Sequence, residues 1–155
     1  MSQRKDQRSP TDVDLDAYNQ ALYLTKTTMR ICKTKEKNVN NHHIKKKHIP
    51  IANIVLSDVV RIGALLLNAN NKYVGPRANL ETRIKNYNKR IEMQEEACGL
   101  TFEVEHIIHA LHEEEPFAES TLHDWIGALV RTRDAIKSWA VSDNRELKKL
   151  MGQVL

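Results

Sequence analysis

An all-α fold, an antiparallel up-down four-helix bundle, is the architecture this sequence predicts. Three observations carry the prediction. Apolar residues recur at alternating steps of three and four along four long segments, the period of one helix face. Short links with turn chemistry divide most of these segments, and no stretch reads as a strand. The chain has 155 residues, enough for one domain to bury a core without disulfide or metal staples. A hydrophobic share of 41% and a charged share of 28% are those of a globular chain.

The first helix is expected to start at Thr11, an N-cap type, with Asp12, Asp14 and Asp16 where carboxylates complement the helix dipole. Leu15, Tyr18, Leu22, Thr25, Met29 and Cys32 then draw one stripe. Pro50 suits the opening of the second helix, where its missing N–H costs nothing. Ala52, Val55, Val59, Ile62, Leu66, Ala69 and Tyr73 repeat the spacing. Ile51, Ile54, Leu56, Leu65 and Leu67 widen the stripe, so this helix is expected to be the most buried, and "YVGPR" from Tyr73 stops it. A third helix, from about Asn79 to His112, carries Leu80, Ile84, Tyr87, Ile91, Cys98, Phe102, Ile107, Ile108 and Leu111, with a bend or close approach expected at Gly99. The fourth is expected to be capped by Ser120, to run through Leu122, Trp125, Leu129, Thr132, Ile136 and Trp139, and to end at "SDN" from Ser142.

The expected core therefore includes Tyr18, Leu22, Val55, Val59, Ile62, Leu66, Ile84, Ile91, Leu129 and Ile136. Residues 11–145 form the bundle in this reading, and 1–10 and 146–155 are expected to be flexible tails, having little apolar surface to offset ordering. The longest uninterrupted apolar runs are far shorter than the ~20 residues that span a bilayer. No apolar h-region follows the opening charges, so a cytoplasmic location away from membranes is expected.

Net charge is +4, but its distribution matters more than its sum. Eight basic residues, Lys26, Arg30, Lys33, Lys35, Lys37, Lys45, Lys46 and Lys47, face one acid, Glu36, between positions 26 and 48. From Glu92 to Asp124 there are ten acids and no Lys or Arg. Such polarity attracts polyanions at one region and a basic partner, or a neighbouring copy of the chain, at the other.

The link over 33–48 is also longer than the two to eight residues usual between bundle helices, which marks it as functional or disordered. Its lysines are of a type that binds phosphates, each contact adding salt-sensitive affinity, and Asn40, Asn41, His42 and His43 are candidate polar contacts. The alternative for the same residues is a solvated loop without a partner, since no aromatic side chain is interleaved to stack on bases. Arg77, Arg83, Lys85, Lys89 and Arg90 make a second basic stretch, opposed only by Glu81.

Tests for other chemistry point elsewhere. Glu103, His106, His109 and His112 recur every three residues, but steps of three drift about 60° each around a helix, so they read as a solvated face rather than a metal site. Cys32 and Cys98 fall on apolar stripes, no glycine-rich turn surrounds a serine, and no phosphate loop is present. No enzyme activity, catalytic residue, metal or cofactor is expected.

With the helices placed, "GALLLNANNKYVGPR" and "LVRTRDAIKSWAVSD" resemble the corresponding stretches of the four-helix-bundle family that includes the 23S ribosomal-RNA intervening-sequence proteins and the accessory variability (Avd-like) proteins of diversity-generating retroelements. The resemblance covers about residues 15–143. It implies a non-enzymatic protein that forms a pentameric barrel, carries positive surface, and binds RNA and a reverse transcriptase during mutagenic retrohoming. This chain departs from the family in entering the second helix through the longer "KNVNNHHIKKKHIPI". A nucleic-acid-independent interaction module and a DNA-binding accessory factor of a mobile element are the competing readings.

Overall fold

The computed structural model describes residues 11–32 and 46–154. These form four helices and no strand: α1 (Thr11–Cys32), α2 (Ile49–Asn70), α3 (Leu80–Glu114) and α4 (Glu119–Gly152), with a 3₁₀ turn, Lys46–His48, leading into α2. Each helix packs on the next and α1 closes the ring against α4, the arrangement of an up-down four-helix bundle. Pairs across the seams run antiparallel. The Cys32 thiol near the end of α1 meets the Ala52 carbonyl at the start of α2, while Arg90 and Arg133 reach Asp143 and Thr101 in opposite chain order on α3 and α4.

One contiguous core is built around Trp125 and Trp139, with Val55, Val59, Ile62, Leu66, Val104, Ile108, Leu129 and Ile136. Six of the ten expected core residues, Val55, Val59, Ile62, Leu66, Leu129 and Ile136, are buried, while Tyr18, Ile84 and Ile91 are half-buried. Leu22 corrects the expectation: it is 39% exposed. The buried face of α1 is instead Ala17, Ala21, Leu24, Thr27, Thr28 and Ile31, rotated away from the stripe of larger side chains. The cause is size and pairing rather than hydrophobicity. Small residues admit the bulky α4 side chains, and Thr28 satisfies the buried Trp125 indole, accepting from its Nε1 at 2.9 Å while donating to the Leu24 carbonyl.

In α2 the expected narrow stripe is buried from Ala52 to Ala69, but Ile51, Ile54 and Leu67 are exposed, and so is Tyr73 beyond the helix end. Six of its 22 residues are buried, against 8 of 35 on α3 and 11 of 34 on α4, so the share on α4 exceeds that on α2; a helix in a ring of four turns only one face to the core. By length and composition alone this helix could cross a membrane; its Ala52, Val55, Val59, Ile62, Leu66 and Ala69 face is the centre of the bundle core.

The α3 helix is continuous through Gly99, which is exposed and where a Cβ would meet nothing, so no close approach occurs there. Asn79 caps α3, its side-chain oxygen accepting from the Thr82 amide at 2.8 Å. Ala118, rather than Ser120, stands at the start of α4, without a side-chain cap. Phe117 anchors that entry by packing on the Trp125 and His112 rings.

The largest correction concerns the C-terminus. The helix does not end at Ser142–Asn144 but runs to Gly152. Leu147 and Leu150 are buried with Tyr87 in a second apolar cluster, flanked by Val74, Leu80, Ile84 and Ile91. Residues 146–152 are therefore part of the bundle, held by a stripe that continues from Trp139 through Asp143.

Candidate nucleic-acid interface

The described parts of the two basic stretches fall at opposite ends of the bundle. At the first end, Lys26 and Arg30 are exposed on the last turns of α1, where positive charge complements the helix dipole. Lys33, Lys35, Lys37, Asn40, Asn41, His42, His43 and Lys45 lie outside the described residues. Lys46 opens the 3₁₀ turn and Lys47 is exposed on it. His48 is tied to Glu115 at 2.5 Å, with both side chains largely buried. The fold thus sets the foot of the basic link against the acidic α3–α4 link, 67 positions away in sequence.

At the other end, residues 71–79 between α2 and α3 form a hydrogen-bonded turn. The Tyr73 hydroxyl accepts from the backbone N–H and the Nε of Arg77, at 3.3 and 3.1 Å. Asn86 Nδ2 donates to the Tyr73 carbonyl at 2.6 Å, and Arg83 Nε donates to the Val74 carbonyl at 3.1 Å. A Cβ at Gly75 would collide with the Tyr73 ring, so only glycine lets the ring fold across the turn. Val74 packs on the Leu147–Leu150–Tyr87 cluster, which seats the turn on the last turns of α4.

Hydrogen bonding from Arg77 holds the Tyr73 phenol below its usual range, helped by the nearby positive charges of Arg77 and Arg83, and Tyr73 raises Arg77 in return. Lys85 and Lys89 are exposed on α3 nearby in sequence.

Arg90 does not belong to this surface. It is 6% exposed and lies between the Tyr87 and Trp139 rings, with Nε and Nη2 each donating to Asp143 at 2.9 Å. Gln94 donates to the same carboxylate at 2.7 Å. Burial pushes the Asp143 carboxyl upward, against the opposing pull of Arg90 and Gln94. The helical period puts Arg90 three residues beyond Tyr87 on the core face, a sign that charge alone hides.

Sequence reasoning also misses contributors. Tyr73 reads as the end of an apolar stripe. Arg145, Lys148 and Lys149 lie at or beyond the expected end of the bundle, yet they are exposed on the last turns of α4, which pack against the start of α3. The repeat Trp139, Asp143, Leu147, Leu150, at steps of four, four and three, is the signal that could have found them.

Other titratable groups form no comparable site. His106 and His109 are exposed, and His112 packs edge-on to Phe117 with its Nδ1 accepting from the Phe117 amide. No group of three potential metal ligands occurs among the described residues. Both cysteines are free and half-buried, and burial pushes the Cys32 thiol up to about 11. No family model, curated protein or solved structure matches the chain.

Proposed function

We propose that this chain is a non-enzymatic, cytoplasmic accessory protein that binds RNA together with a reverse transcriptase, in the manner implied by its resemblance to the accessory variability proteins of diversity-generating retroelements. The observation that carries the reading is the basic α2–α3 end. There Arg77, Lys85 and Lys89 are exposed and Arg83 is half-buried on a fixed scaffold, and the end of α4 adds Arg145, Lys148 and Lys149. Cations of this density, two of them anchored through Nε, favour a phosphate backbone, whose neutralisation releases counterions. Lys26, Arg30, Lys46 and Lys47 extend the same chemistry to the opposite end of the bundle, and Lys33, Lys35, Lys37 and Lys45 lie between them in the sequence. In this reading RNA contacts are made by the chain's charges, and the polymerase and further copies of the chain occupy other faces.

Self-assembly into a ring, a pentamer by the same resemblance, is supported by exposed apolar side chains on neighbouring helices. Leu22 and Met29 on α1, and Val60 and Leu67 on α2, are each 39–54% exposed. Burying such residues is the usual driving force for association. The same side chains favour a second reading, a protein-interaction module that needs no nucleic acid. A DNA-binding accessory factor is the third, because lysine–phosphate contacts do not distinguish the two nucleic acids.

Salt-dependent binding of the full chain to structured RNA and to duplex DNA, read by fluorescence anisotropy, tests the proposal. Tight RNA binding is expected, with affinity falling as salt rises. Replacing Lys45, Lys46 and Lys47 together by Ala should flatten the log–log salt slope by up to about 0.7 to 0.9 for each phosphate no longer neutralised. Absence of RNA binding at low salt would leave the interaction module as the reading, and equal binding of duplex DNA would favour the mobile-element factor. Sedimentation across a range of salt decides assembly, with a clean monomer throughout rejecting it.

A further inference from the structure

The α2–α3 turn carries two arginines anchored in the same way. Arg77 spends its Nε on the Tyr73 hydroxyl and Arg83 spends its Nε on the Val74 carbonyl. Among the described residues no carboxylate pairs with either guanidinium. Each side chain is thus held by its inner nitrogen while its two Nη groups remain for a ligand. A fork fixed in this way loses less rotamer freedom on binding, and its geometry matches the two oxygens of a phosphate.

Beside them Tyr73 is an aromatic ring, 42% exposed, with the Arg77 guanidinium 5.2 Å from its centroid. Tyr73, Arg77 and Ala78 line an open depression of about 390 Å³. The Tyr73 hydroxyl accepts from Arg77 and the ring lies against Gly75, so the side chain is folded across the turn at the surface. An exposed tyrosine next to a cation is a platform for a flat, unpaired ring.

We infer that this turn is a single-strand nucleotide site: the Arg77 and Arg83 forks hold phosphodiester oxygens, and a nucleobase stacks against Tyr73. The inference rests on the nucleic-acid reading above and narrows it, since a base inside a duplex cannot reach the ring. Its ligand is single-stranded nucleic acid, and the site is distinct from Lys26, Arg30 and Lys47 at the other end of the bundle.

The test uses the full chain and three probes: labelled oligouridine, duplex RNA of the same length, and inorganic polyphosphate, which carries the charge without the base. Wild type should prefer oligouridine to the duplex. Tyr73→Leu should weaken oligouridine by about 5- to 150-fold, the range of one base–aromatic stack, with a much smaller loss on polyphosphate from the freed Arg77 fork. Tyr73→Phe, which keeps the ring but removes the hydroxyl that holds Arg77, should lose no more on oligouridine than on polyphosphate. The double variant R77Q/R83Q should weaken both single-chain probes and lower the oligouridine salt slope by up to about 1.4, two phosphates at ~0.7 each. Thermal melting of each variant confirms that the bundle is folded. Equal losses on oligouridine and polyphosphate in Tyr73→Leu, or an unchanged slope in R77Q/R83Q, would overturn the inference. If wild type binds RNA and only the Lys45–Lys46–Lys47 variant lowers the slope, the general RNA reading stands and this site does not. If wild type binds no RNA, both fall.

Discussion

Replacing Asp143 by Ala is expected to destabilise the bundle by about 3 to 5 kcal/mol, the cost of breaking a buried ion pair from one side. That magnitude follows from the geometry around Arg90. The two side chains of the pair are only 7% and 5% exposed, so solvent screens them little. Asp143 receives two bonds from Arg90 and one from Gln94, and its loss removes the carboxylate that meets this guanidinium between the Tyr87 and Trp139 rings. Water cannot readily replace the carboxylate, since Gln94 and Trp139 beside it are almost fully buried. Removing both charges is a different perturbation. Arg90→Met with Asp143→Leu fills the space with apolar atoms, and the double variant should recover to within ~1 kcal/mol of wild type or exceed it, as buried pairs replaced by well-packed side chains often do. Urea denaturation followed by far-UV circular dichroism measures both quantities. A loss below ~1 kcal/mol in Asp143→Ala would show that the pair is reached by solvent, and a double variant as unstable as the single would show that packing, not the broken pair, sets the cost. The folded double variant should also keep the wild-type salt slope for RNA, because Arg90 lies beneath the surface rather than on it.

Three further outcomes follow from the same geometry. Leu147→Ala and Leu150→Ala should each cost about 2 to 5 kcal/mol, since both lie in the cluster around Tyr87; values near zero would restore the flexible tail. The Tyr73 phenol, lowered by Arg77, should ionise at lower pH in the folded chain than in urea, so raising pH through its folded value favours the folded state. Ultraviolet titration reads the shift, and Arg77→Ala should abolish most of it. Cys32, with its thiol raised to about 11 by burial, should resist alkylation at about pH 8 in the native chain and react on unfolding; rapid native alkylation at Cys32 would contradict its placement against Ala52.

Sequence periodicity alone specified the helical class, the core stripe of α2 and the inward face of the first two-thirds of α4. Spacing reports which residues share a helix face, and on those helices the apolar face is also the packed one. The α1 stripe misled because spacing ignores size. Leu22 and Met29 fit the repeat, yet Ala17, Ala21 and Thr28 are what the α4 tryptophan side can accommodate. The end of α4 was hidden because Arg145, Lys148 and Lys149 dominate its composition, whereas two leucines and one aspartate hold it in place. Charge was legible as a sum and a run, but a lone basic residue does not declare whether it faces water or a buried acid 53 positions away, and Arg90 was settled only by the packing of α3 on α4. The α2–α3 turn shows the division most clearly. Its tyrosine, glycine, proline and arginine are visible as a turn in the sequence, but the anchoring of Arg77 and Arg83 through their Nε atoms exists only when the turn closes on α3 and is seated on α4. Local pattern determines which residues can form an element; which face is buried, and which cations remain for a ligand, depends on contacts between elements distant in sequence.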